Sequence, residues 1–150
     1  MSVEFVPVQI TKTLVVPTTE ATTTYGAPFQ LQSPEDRTVV IASLEAGSAS
    51  KLNVYIQDSW DGALTWTDVC AFPQVSSSDS AQYRVVPPNL GTMAAVTHGT
   101  ISSAAPTLTA GAVCDQPWGP LLRIVTVTGT GTNSGAVTQS LLFIPWQSSH

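Results

Sequence analysis

Apolar and polar residues alternate with a period of two in several short segments, as expected of strands whose two faces have different surroundings. The clearest is KLNVYIQD, where Leu52, Val54 and Ile56 point to one face and the intervening residues to the other. No segment sustains a helical period over ten or more positions, and LGTMAAVTHG is the best candidate for a helical turn. The other strand patterns are VEFVPVQI with TKTLVVP as its continuation, APFQLQS, RTVVIASLEA, LTWTDVCAF, AQYRVVP, LLRIVTVTG and GAVTQSLLFIPW.

About eight short strands at close spacing predict an all-β fold, with a sandwich or a barrel as the architecture. Of the two we favour a jelly-roll-like β-sandwich of antiparallel strands. The length of 150 residues suits a single domain over 1–150. Residues 1–16 are predicted to form an extended arm or an edge strand, because Pro7 cannot donate to a ladder. Residues 87–120 are rich in Gly, Ala, Ser, Thr and Pro and are predicted to form one long loop.

The segment DSWDGALTW lies between two strand patterns and predicts a hairpin turn. Asp61-Gly62 is a favoured turn pair, because glycine accepts a positive φ and aspartate accepts local backbone hydrogen bonds. Trp60 and Trp66 flank the pair, and if both cap the same face they close the hairpin by packing. We interpret these four residues as a structural turn, not as a catalytic site.

The same segment resembles the Asp-box of sialidases, which reads Ser-x-Asp-x-Gly-x-Thr-Trp. Ser59, Asp61, Thr65 and Trp66 match the pattern, whereas its glycine position holds Ala63. In those families the box is a folded hairpin remote from the chemistry. The resemblance therefore also implies architecture.

Charged residues make up only 10% of the chain, against about a quarter in typical proteins. This low fraction suggests a surface largely covered by a partner or by copies of the chain itself. The net charge is −5, and the cations are scattered. Nucleic acid is not expected as a partner, because phosphate binding needs a basic footprint. The five cations are Lys12, Arg37, Lys51, Arg84 and Arg123.

Glu4 stands where a secretory signal carries positive charge, so no signal peptide is expected at this N-terminus. No apolar run reaches the 18 residues of a membrane helix, and a membrane is not expected as a partner. Cys70 and Cys114 are predicted to be reduced, buried thiols, with a disulfide between them as the alternative.

The histidines do not suggest a metal or a catalytic base. His98 lies in the predicted loop and His150 ends the chain, and no clustered metal-ligand motif is present. His98 is the sole candidate base for a nucleophile, and no serine has a GxSxG context. No metal, cofactor or catalytic residue is predicted, and the protein is expected not to be an enzyme.

Two groups of carboxylates have an alternative chemical interpretation. Glu35 and Asp36 lie in SPEDR, a predicted turn with Arg37 as a local partner. Asp58, Asp61 and Asp68 cluster around the predicted hairpin and could form a calcium or acid–base set. Turn formation accounts for these aspartates more simply.

In CDQPWGPLLRIVTVTG, Trp118 precedes a strand whose apolar run is interrupted by Arg123. Alternation places Arg123 among Leu121, Val125 and Val127. We predict that it forms an intramolecular ion pair. Contact of Trp118 and Arg123 with a partner surface is the alternative.

The segments VYIQDSWDGALTWTDVCAF and GPLLRIVTVTGTGTNSGAVTQSLLF together resemble small virion proteins of tailed bacteriophages. The resemblance covers residues 53–72 and 119–143. It implies a compact β-sandwich that decorates or cements the capsid. It also implies binding to the major capsid protein and to copies of itself, as a homotrimer or another closed oligomer. The implied location is the virion, assembled in the host cytoplasm.

Two other functions remain open. One is a different virion part: a head–tail connector, a tail protein or a fibre-associated protein. The other is a carbohydrate-binding module with Trp60, Trp66 or Trp118 as stacking platforms. Exposure of the tryptophans discriminates, because a sugar platform needs an open ring face.

Overall fold

The computed structural model describes residues 8–15, 21–30, 37–85, 108–113, 118–130 and 136–146. These residues form ten strands. In chain order they are β1 (Val8–Val15), β2 (Thr22–Tyr25), β3 (Phe29–Gln30), β4 (Arg37–Glu45), β5 (Lys51–Ser59), β6 (Thr67–Ala71), β7 (Val75–Ser76), β8 (Ser80–Val85), β9 (Leu121–Thr128) and β10 (Ala136–Trp146).

The strands form two sheets in which every pairing is antiparallel. The first sheet has the order β1-β10-β4-β8 and the second β2-β9-β5-β6, with β3 beside β9 and β7 beside β5. The first long strand therefore pairs with the last, and β2 pairs with β9. The prediction of an all-β fold with antiparallel strands in a sandwich is confirmed.

The core lies between the two sheets and follows the predicted alternation. Leu52, Val54 and Ile56 of β5 are fully buried on one face. The rings of Phe29 and Phe143 meet edge-on with centroids 5.0 Å apart, which joins the second sheet to the first. Burial of these apolar side chains is the main stabilising contribution to the fold.

Two strands are not predicted by the pattern of the sequence. β2 is a run of threonines ending in Tyr25, with no apolar alternation, and β7 has two residues. Both form because a neighbouring strand offers a free edge, β9 to β2 and β5 to β7. These tertiary pairings explain why the structure has ten strands where the sequence predicts about eight.

The two alternatives for the N-terminal segment are distinguished for residues 8–15. They form β1, which pairs with β10 along its whole length as an edge strand. In the predicted long loop, residues 108–113 lie against β6, where the Ala71 amide donates to Ala112 O and the Gly111 amide to Ala71 O. The remainder of 87–120, except 118–120, lies outside the described residues, as does the predicted helical turn.

Candidate functional site

The loop between β5 and β6 occupies residues 60–66, so the strand predicted from Leu64 onward begins only at Thr67. Gly62 and Ala63 both have φ of +73°, the left-handed conformation. Glycine adopts this conformation without strain, whereas an alanine pays a steric cost. Ala63 therefore has the backbone conformation that favours the glycine of the Asp-box pattern.

The Asp61 carboxylate organises this loop. Its Oδ1 accepts hydrogen bonds from the Thr65 amide and the Ser59 hydroxyl, both at 2.9 Å, and its Oδ2 accepts one from the Thr65 hydroxyl. The Ala63 amide donates to Ser59 Oγ at 3.0 Å. The bonds from Thr65, and to a lesser degree from Ser59, lower the pKa of Asp61 from 3.8 to about 2. The aspartate thus stays ionised and holds the turn.

Two large apolar side chains project from the braced loop. Trp60 is 67% exposed and Leu64 80% exposed. Trp66 turns away from them, and its ring lies 4.3 Å from the Arg123 guanidinium carbon. Of the two tryptophans predicted to close the hairpin, one therefore faces solvent and the other packs on β9.

Arg123 lies between two aromatic rings on the outer face of the second sheet. Its guanidinium carbon is 4.8 Å from the Tyr25 ring centroid and 4.3 Å from that of Trp66. Its Nε donates to Gln57 Oε1 at 2.9 Å, and Gln57 Nε2 donates to Asp68 Oδ1 at 2.7 Å. The direct polar partner is therefore a neutral amide, where the sequence favoured an ion pair.

Burial determines the electrostatics of this arrangement. Partial burial lowers the pKa of Arg123, and its Coulombic interactions with Tyr25 and Asp68 oppose that shift. The Nη2 of Arg123 is buried and has no hydrogen-bond partner among the described residues. The guanidinium nevertheless remains charged at any ordinary pH. It holds Tyr25, Trp66 and Gln57 together across three strands and a loop.

Trp118 is only 8% exposed and packs in the hydrophobic core. This burial leaves little of its ring for the partner or sugar contact proposed from the sequence. The next residue, Gly119, donates its amide to Asp58 Oδ2 at 2.6 Å. A Cβ on Gly119 would lie 2.7 Å from the Ser59 carbonyl oxygen. The close approach of the backbone at residue 119 to the backbone at Ser59 thus requires glycine here.

The remaining candidate residues have structural roles or lie outside the described residues. Asp68 and Asp58 are buried, and each accepts a backbone amide, from Leu108 and Gly119 respectively. Burial raises the pKa of Cys70 to about 12, which disfavours its thiolate. Glu35, Asp36, His98, Cys114 and His150 lie outside the described residues.

No group of three or more histidines, cysteines and carboxylates within the described residues could hold a metal ion. Over the same residues, no helix is long and apolar enough to cross a membrane.

The sequence did not single out Tyr25 or Gln57 as functional residues. Gln57 was expected on the polar face of β5, yet it is only 1% exposed. Its register partners are Arg123 on β9 and Asp68 on β6. The strand register would have placed Gln57, Arg123 and Asp68 side by side, because register partners share one face of a sheet.

Comparisons with protein families, with curated proteins and with solved structures found no match.

Proposed function

We propose that this chain is a non-enzymatic structural protein of a tailed-bacteriophage virion, a decoration or cement protein on the head surface. The observation that carries the proposal is the strand order. The pairs β1–β10, β2–β9, β4–β8 and β5–β6 are nested and divided between two sheets. We infer from this order that the sandwich is a jelly roll, an architecture frequent in viral capsid and lectin domains.

The resemblance to small phage virion proteins supports the same conclusion. Its two segments include β6 and β9 and most of β5 and β10. The fold alone does not define a function, and the contact surface must be argued from its residues.

We assign the contact with the major capsid protein to the β5–β6 loop. Trp60 and Leu64 together give it an exposed apolar surface, and tryptophan is enriched among residues that dominate binding energy. The hydrogen bonds of Asp61 to Ser59 and Thr65 hold the loop before binding. A preorganised loop loses less conformational entropy when it docks.

The copies would associate into a homotrimer or another closed ring, as symmetric assemblies generally do. The low charge fraction of 10% supports such mutual burial of surface. The chain would then be located in the virion after assembly in the host cytoplasm.

Gradient co-sedimentation of the labelled protein with purified particles of the source virus tests the proposal. Saturation at hundreds of copies is the expected result, and Trp60→Ser with Leu64→Ser should abolish it. Arg84→Ser, on the exposed face of β8, is the matched control and should bind normally. Absence of binding by the unaltered chain would refute the virion function. Equal binding of the loop variant would refute the loop assignment only.

A dozen copies or fewer would instead identify a head–tail connector, tail or fibre-associated protein. The variant with Trp60→Ser and Leu64→Ser tests the contact surface in that case too, because it should no longer bind at those few positions.

A carbohydrate-binding module is the second candidate, favoured by the exposure of Trp60 and of Tyr25, which is 42% exposed. Rings with one open face stack on sugars, and jelly rolls include lectins. A saturable change of tryptophan fluorescence with soluble glycans, abolished by Trp60→Ser, would support it. Trp66→Phe should leave that response in place, because the ring of Trp66 packs on Arg123.

A further inference from the structure

A polar layer crosses the interior of the sandwich near the edge formed by β1 and β2. In the first sheet Lys12 and Gln139 are register partners, and in the second sheet Thr24 and Thr126 are. The Thr126 hydroxyl donates to Gln139 Oε1 at 2.7 Å, which joins the two sheets. Register partners share a face, so Lys12 lies on the face of β1 that is turned toward the other sheet.

The layer opens into a pocket of about 280 Å³ between the two edge strands. Its polar lining comprises Lys12, Gln139 and three threonines, and its apolar lining includes Ile10, Phe29 and Ile124. The threonines are Thr11, Thr24 and Thr126. This combination of an apolar wall with a few convergent polar groups is typical of small-molecule sites.

Lys12 and Gln139 bring hydrogen-bond donors to this pocket. Gln139 is only 2% exposed, and its side-chain oxygen accepts the hydrogen bond from the Thr126 hydroxyl. Its amide nitrogen has no hydrogen bond to another described residue. None of the described residues that line the pocket carries a carboxylate, so the Lys12 ammonium also meets no counter-charge there. Both donors are therefore available to a ligand that supplies hydrogen-bond acceptors.

We propose that this pocket binds a small monocarboxylate with a short apolar body. The carboxylate would accept hydrogen bonds from Lys12 and Gln139, and the apolar body would lie against Ile10, Phe29 and Ile124. The single ammonium and the apolar wall favour such a ligand over inorganic phosphate, whose charge would lack further donors of the kind that cradle it. The site is independent of the virion function and lies on other strands than the β5–β6 loop.

An inward-pointing lysine on an edge strand has a simpler explanation, protection against pairing with another chain. That role requires only Lys12. It does not require a nearly fully buried glutamine beside it, nor the bond that aligns this glutamine with Thr126. The two explanations differ in ligand binding, which edge protection does not involve.

The test is a titration of the ¹⁵N-labelled protein with hexanoate, followed by the amide signals of Gly26 and the side-chain amide of Gln139. Saturable shifts in the millimolar range are expected. The neutral analogue hexanamide should bind about tenfold more weakly or worse, since it loses a charge-assisted hydrogen bond.

Lys12→Gln should weaken hexanoate binding about tenfold, and Lys51→Gln, an exposed position on β5, is the matched control. The hexanamide comparison uses the unaltered protein and needs no variant to fold. Any of three results would overturn the proposal: no saturable shift with hexanoate, equal binding of hexanamide, or inorganic phosphate binding as tightly as hexanoate. Self-association of Lys12→Gln without hexanoate binding by the unaltered protein would leave edge protection as the sole role.

Discussion

The Nε of Arg123 donates to Oε1 of Gln57 across the β5–β9 pair, with 2.9 Å between the two atoms. This bond connects a partly exposed cation with an amide that is 1% exposed. The same guanidinium packs on Tyr25 and Trp66, so one side chain stabilises β2, β5, β9 and the end of the β5–β6 loop together.

Arg123→Met should lower the free energy of unfolding by about 1–3 kcal/mol, because it removes a hydrogen bond to a buried amide and two cation–π contacts. Methionine keeps much of the packing of the aliphatic stem. Urea unfolding measures the change. Arg84→Met, on the exposed face of β8, is the control and should change the value by less than about 0.5 kcal/mol. Equal effects of the two substitutions would contradict the structural role of Arg123.

Asp61→Asn should destabilise the protein near neutral pH and lose this effect in acid. The folded-state pKa of Asp61 is lowered from 3.8 to about 2, chiefly by the Thr65 hydrogen bonds. The carboxylate therefore contributes its stability above pH 3.8 and loses it as the pH falls toward about 2. Thermal unfolding of both proteins across this range measures the difference, which should shrink steadily. A difference that stays constant down to the lowest pH would show that the ionised carboxylate is not what holds the loop.

Ala63→Gly should stabilise the protein by roughly 0.5–1 kcal/mol. Relief of the left-handed alanine contributes roughly 1–2 kcal/mol, and the added freedom of the unfolded chain offsets part of it. Gly62→Val should act in the opposite direction, because a β-branched residue resists positive φ. A Cβ at Gly62 would meet nothing within 4 Å, so only the backbone conformation is tested. Unchanged melting temperatures for both variants would defeat the turn interpretation.

Deletion of residues 1–16 should unfold the protein or lower its melting temperature strongly. It removes all eight residue pairs between β1 and β10 and the side chains of Val8, Ile10 and Leu14, which pack against the core. Near-ultraviolet circular dichroism and dye binding report the loss of packing. Deletion of residues 1–7 keeps every one of these pairs and is the control. A folded long deletion that only fails to assemble would assign residues 8–15 to an arm.

The loop at Asp61 shows how far local chemistry can be predicted. The sequence indicated a turn at Asp61-Gly62, and this loop has a left-handed glycine and a bracing carboxylate. The directions of its two tryptophans did not follow from the sequence, because the Trp66 ring packs on a side chain of β9 whereas Trp60 remains 67% exposed. Trp66 packs on Arg123, which is 57 positions further along the chain.

The connection between β9 and β10 shows that the pairing of strands, too, did not follow from the local sequence. The strand patterns LLRIVTVTG and GAVTQSLLFIPW are separated only by TGTNS, and residues 131–135 lie outside the described residues. The two flanking strands nevertheless belong to different sheets, β9 to the second and β10 to the first. A short connection normally favours pairing of the strands it joins. Here β10 pairs with β1 and β4 instead, which the period-two pattern cannot reveal.

The sequence by itself determined the all-β class, most strands and the inward-facing rows, because period-two alternation records which side chains leave water. Tertiary structure alone decided which strands are neighbours, and hence that Gln57, Arg123 and Trp66 meet on the outer face. It also decided that Lys12 and Gln139 face Thr126 between the sheets. Those partners are far apart in the chain, and only the packing of one sheet on the other fixes their distances.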